Sequence, residues 1–222
     1  MTDWDPRQRA DDARRRAEQA LPRAVDLWGL SWERDDDRLD VGNALGASDT
    51  CLSATFPEAA RVADADVTFV RARNFGLVHA MSTVFDDALS AHQAWLQLGD
   101  EAFVTCFAES VVAAVDIDPD IELLGPLVQA VLPVSPDPAA TSHPSTAGTT
   151  TQGSRRTARA RVALSAASDL ALFPIAIDVA VILAGPIVVM VWAVERPGAA
   201  KDRGWARLVE RVERKAEVAA AP

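Results

Sequence analysis

A chain of 222 residues with a formal charge of −10 is long enough for one domain with an appendage, or for two small domains. The charge is uneven: residues 1–130 hold 24 acids against 11 Arg, net −13, whereas 131–169 and 195–222 are each net +2. So acidic a front half repels a phosphate backbone, and no nucleic acid is expected as a partner.

The opening MTDWDPRQRADD has no apolar core of the signal-peptide kind, which places the front half in the cytoplasm as an expectation. Residues 4–28 read as a first helix, with Asp5 as N-cap, Pro6 in the first turn and Pro22 as a break point. Arg14, Arg15 and Arg16 beside Asp11, Asp12 and Glu18 form a solvated, salt-bridged face. Asp35, Asp36, Asp37 and Asp40 fall between Gly29 and Gly42 and read as an acidic loop. From 39 to 73, segments such as DTCLSATF and DVTFVRAR are alternating or β-branched, so a few short strands are an option there. Cys51 and Cys106 belong to no CxxC or Cys/His cluster, and two buried free thiols are expected.

Val67, Val70, Leu77, Val78, Met81, Val84, Phe85, Leu89, Trp95 and Leu96 fall at helical spacings, and predict a core helix ending at Gly99-Asp100. Phe103, Val104, Phe107, Val111, Val112 and Val115 predict its antiparallel partner. On the first of these helices His79, Asp86 and Asp87 are the catalytic candidates. A His and an Asp seven apart share a helix face, which suits a base and its orienting carboxylate, although exposed polar positions explain them more simply. No Glu-x-x-His or His-x-x-x-His pair is present, and neither metal nor cofactor is expected. Asp116, Asp118, Asp120 and Glu122 alternate like the start of a calcium loop, but Ile121 and Leu127 stand where glycine and glutamate are required. A short helix from about Ile121 to Leu132 then closes an acidic, mainly helical domain of residues 1–132.

Residues 133–154 are dense in Pro, Ser, Thr and Gly and read as a flexible linker. A basic stretch, 155–169, follows with Arg155, Arg156, Arg159 and Arg161. Residues 170–194, LALFPIAIDVAVILAGPIVVMVWAV, carry one charge, Asp178. As a helix of about 37 Å the run would cross a bilayer core, or re-enter at Gly185-Pro186. Its alternative is a pair of buried strands, Ile175 to Leu183 and Ile187 to Val194, which need cover on both faces. In a membrane, Asp178 requires a partner helix or a second copy of the chain. The tail, 195–222, sets Trp205, Leu208, Val209 and Val212 at helical spacing among Arg203, Arg207, Arg211 and Arg214, as in a helix lying on headgroups.

The fold class read from these elements is mainly α, or α+β if 39–73 forms strands: a small helical domain, a disordered linker and one hydrophobic membrane segment. The expected function is a membrane-anchored accessory or adaptor protein with its N-terminal domain in the cytoplasm. It would act through protein–protein interaction, with membrane lipid and a protein partner or homo-oligomer met through the hydrophobic segment. The alternatives are a carboxylate-dependent or metal-dependent enzyme in the N-terminal domain, and a wholly soluble α+β protein in which 170–194 is core.

Overall fold

The computed structural model describes residues 6–29, 31–35, 51, 60–71, 76–98, 103, 106–107, 122–123, 156–168, 171–195 and 198–221. Helix α1 spans Pro6–Ala20, and a single 3-10 turn, Ala24–Asp26, follows. Strands β1 (Glu33–Arg34), β2 (Arg61–Arg71) and β3 (Gly76–Phe85) lead to helix α2 (Ala88–Leu98). Then come β4 (Glu122–Leu123), β5 (Arg156–Ser168), β6 (Ala171–Ala184), β7 (Ile187–Glu195) and helix α3 (Ala199–Ala220). The seven strands among the described residues belong to one antiparallel sheet in the order β1-β2-β3-β7-β6-β5-β4, in which the two outermost strands are two residues long.

The hydrophobic run is the centre of that sheet, and the mainly α, membrane-anchored reading is corrected by it. Residues 171–184 and 187–195 form a hairpin. Gly185, at φ +53, and Pro186, whose ring fixes a negative φ, supply the two turn residues between Ala184 and Ile187. Pro174 is tolerated because it lies beyond the β6–β7 ladder, which begins at Ala176↔Glu195. Every residue of β7 is buried. From Ala176 to Ala184 and along β7 the run lacks the polar–apolar alternation of a half-exposed strand because both faces are covered by this chain's own helices and loops. No helix among the described residues is long and apolar enough to cross a membrane.

One face of the sheet carries α1 and α3. Ala13, Ala17 and Ala20 are small enough for α1 to lie close on β2 and on α3, where they are almost fully buried. Trp205, Leu208, Val209, Val212, Ala216 and Ala219 make the buried stripe of α3. The amphipathic tail was expected on headgroups; its apolar face instead seals Ala180, Ile182, Val189 and Val191 of the sheet. The opposite face carries α2 through Ala91, Ala94 and Leu98, together with Phe103 and Phe107, over Ile177, Val179, Val181, Met190 and Trp192.

The long helix predicted from Val67 is β2, β3 and α2 in turn. In β2, Val67 and Phe69 point to the α1/α3 side and Thr68 to the α2 side, and all three are buried. Two-sided burial erased the period-2 signal and left apolar residues at three- and four-residue intervals by coincidence. Residues 122–123 are strand where a helix was expected. The acidic loop at 36–40, most of the expected hairpin helix from Phe103 to Val115, and the linker 133–154 lie outside the described residues.

Cys51 and Cys106 are joined by a disulfide, with Cα atoms 6.0 Å apart, which corrects the expectation of two free thiols. The bond closes a 55-residue separation and ties down Cys106 beside Phe107, which packs on the α2 face. Sequence spacing alone carried no signal for this pairing.

Candidate functional site

The sheet places the sequence-derived candidates far apart. His79 is buried in the middle of β3, whereas Asp86 and Asp87 lie beyond its end, about 20 Å along the strand at ~3.3 Å per residue. Asp86 forms an exposed ion pair with Arg9 at 2.9 Å. Asp87 caps α2: its Oδ1 accepts from the backbone N–H groups of Leu89 and Ser90, both at 2.8 Å. Those bonds, that from Ser90 foremost, hold its carboxyl below the usual range. The base and its proposed orienting carboxylates do not converge.

Asp178 finds its partners inside the chain. On β6 it lies directly opposite Arg161 of β5, which donates from Nε to Oδ1 at 2.6 Å. From α3, Lys201 Nζ approaches Oδ2 at 2.7 Å and donates to the Ala176 carbonyl at 3.1 Å. Arg161 also reaches Asp202 on α3 at 2.6 Å. Its guanidinium is held in the charged form, above all by the Asp178 hydrogen bonds.

A second carboxylate, Glu195, ends β7 in the same region. It accepts from Trp28 Nε1 at 3.0 Å and pairs with Arg71 at 3.0 Å. Burial raises its carboxyl pKa and outweighs Arg71, Lys201 and the Trp28 bond, which act the other way. Arg71 donates to the Trp28 carbonyl at 2.7 Å and lies 4.3 Å over the Trp32 ring, and Trp32 Nε1 donates to the same carbonyl at 2.7 Å. Two glycines make room for this. A methyl on Gly76 would meet Glu195 Oε1 at 2.9 Å, and one on Gly204 would run into Cβ and Cγ of Trp28. The charges alternate in sign, with Arg71, Lys201 and Arg161 against Glu195, Asp178 and Asp202. The network fastens Trp28, Trp32 and the start of α3 to the sheet.

The remaining basic candidates are dispersed. Arg159 faces α3, 3.9 Å from Glu213, and Arg211 donates to the Val25 carbonyl at 2.9 Å. Arg203, Arg207 and Arg214 are exposed along α3. Arg156 begins β5, and Arg155 lies outside the described residues.

His79 has chemistry of a different kind. Its Nδ1 is hydrogen-bonded to Thr68 Oγ1 at 2.9 Å, and its Nε2 is buried with no partner among the described residues. Burial lowers its pKa to about 4 against the pull of Asp66, so the imidazole is neutral at ordinary pH. The Trp192 ring centroid lies 5.6 Å away, and Phe107 contacts Trp192 edge-on at 5.7 Å. Sequence reasoning found His79 but set it on an exposed helix face. It missed the Arg71–Glu195–Trp28 cluster, whose members are drawn from separate strands and a loop.

No protein-family model and no curated protein matches the chain. Among solved structures, the extracellular domain of PknH from Mycobacterium tuberculosis is similar over 91% of this chain and 97% of that one, at 12% identity and a TM-score of 0.43, a likeness too distant to carry fold or function.

Proposed function

We propose that this chain is a disulfide-tied recognition domain of an oxidising compartment, acting by binding rather than by chemistry of its own. The observation that carries the reading is the Cys51–Cys106 bond. Disulfides persist where thiols are not kept reduced, outside the cytosol in most organisms. Two further observations support it. The candidate base and carboxylates are about 20 Å apart, too far for one to orient another. The buried acids Asp178 and Glu195 are each held by a cation of the same chain, as in a structural network.

The test is the redox state of the two cysteines in protein taken from its native host, with thiols blocked by an alkylating reagent at lysis and the mass of the intact chain measured. No label before reduction and two labels after it are expected. Two labels on the unreduced protein would overturn the reading and return the domain to a reducing compartment.

A further inference from the structure

We propose that His79, Met81 and Met190, roofed by Trp192, form a binding site for a soft monovalent metal ion of the Cu(I)/Ag(I) class. The inference goes beyond the compartment reading and does not depend on it.

It begins with register. β3 and β7 pair so that His79 lies opposite Trp192 and Met81 opposite Met190. Residues two apart on a strand share a face, so all four side chains project to the α2 side of the sheet. Directly opposed Cβ atoms in such a ladder are about 5 Å apart and diagonal ones about 7 Å, within reach of a long thioether and an imidazole closing on one ion. The chain has three methionines, the first residue and these two, and the two internal ones are cross-strand neighbours beside the fully buried His79.

The histidine is prepared as a ligand. Thr68 occupies Nδ1, which fixes the ring and leaves Nε2 as the free nitrogen. That nitrogen is buried and has no partner among the described residues, an arrangement that a packed interior disfavours. Metal-ligating histidines are held in this way, by a hydrogen bond on the other ring nitrogen.

The donor set selects the ion. Thioethers are soft ligands that favour Cu(I), imidazole suits copper as well, and hard cations need a cluster of oxygen ligands, whereas no group of three or more His, Cys, Asp or Glu that could hold an ion is found among the described residues. Among the acids, Asp66, opposite Met81, is the one that acts on His79 electrostatically, and it is exposed. A thioether forms no disulfide, so it remains a ligand in surroundings where Cys51 and Cys106 are consumed by their own bond. Trp192 presents a π system beside the ring, and the buried Phe107, next to the disulfide-bonded Cys106, packs edge-on against it. Met81 is partly buried where Met190 and His79 are fully so, which marks the side of entry.

The experiment is titration of the full oxidised chain with Ag(I), a redox-inert probe of the same softness, in chloride-free buffer. Stoichiometry is read by native mass spectrometry and the ligands by the NMR signals of the Met ε-methyl groups. One equivalent bound, with both internal methionine signals shifted, is expected. Met81→Leu with Met190→Leu should lower affinity at least 100-fold while leaving the circular dichroism spectrum intact, since Met-to-Leu exchange conserves volume. His92→Gln, outside the site, should bind as the parent does. No stoichiometric uptake by the parent, or unchanged affinity in the double Met variant, would overturn the proposal. The second result would mean adventitious binding to a histidine.

Discussion

Replacing Asp178 by Leu should destabilise the fold by about 3–5 kcal/mol, the usual cost of removing one partner from a buried ion pair. The magnitude follows from what is left behind. The side chains of Asp178 and Lys201 are 3% and 4% exposed, so without the carboxylate the Lys201 ammonium keeps its hydrogen bond to the Ala176 carbonyl and a weaker electrostatic pull from Glu195, but no ion-pair partner in contact among the described residues. Arg161 is 34% exposed and retains Asp202, so its share is small, about 1 kcal/mol or less. The loss is therefore one of desolvated lysine, and it is reversible by removing that charge. Lys201→Met in the Asp178→Leu background should recover most of it, because an apolar pair of similar volume costs little where a lone ion costs much. Urea unfolding followed by tryptophan fluorescence and by circular dichroism measures both steps. An Asp178→Leu variant within about 1 kcal/mol of the parent, or a double variant no more stable than the single one, would refute the reasoning.

Gly204→Ala adds a methyl against Cβ and Cγ of Trp28, atoms too near the backbone to swing aside. Overpacking of about 1–3 kcal/mol should outweigh the ~1 kcal/mol gained from helix propensity. A net loss of stability with a changed near-ultraviolet circular dichroism signal is expected, and a more stable variant would show that Trp28 yields freely. Glu195→Gln tests the sign of burial at the end of β7. The folded carboxyl titrates above its ordinary 4.5, so its contribution to stability is fully present below about that pH and is lost as pH rises through the folded pKa. The stability of the parent relative to Glu195→Gln should therefore fall over that window; a rise would mean that the Arg71 pair outweighs burial.

Much of the local structure was legible. Pro6 opens α1, which ends two residues before Pro22, and the stripe Trp205, Leu208, Val209 and Val212 is the buried face of α3. The break at Gly185-Pro186 and the two apolar segments on either side of it correspond to β6 and β7, the reading weighed as the alternative to a membrane span. Asp178 was legible as the one charge in the run, but a partner for it was expected only in a membrane, and without one it was read as an acid of no special role. The partners themselves were not legible, since Arg161 and Lys201 are remote in sequence and meet it only through the β5–β6 register and the docking of α3.

The sequence by itself determined which segments are too apolar to face water, where prolines and glycines interrupt them, and which helices have one greasy side. These are properties of single segments, set by local propensity and by the cost of exposing apolar surface. It did not determine what covers the apolar run, because lipid on the outside and the chain's own helices on both faces demand the same composition. Only the tertiary structure decided that, and with it the pairing of Cys51 with Cys106, of Glu195 with Arg71, and of Met81 with Met190. The last two depend on strand register between distant segments, and a shift of one residue would send every side chain on a strand to the opposite face.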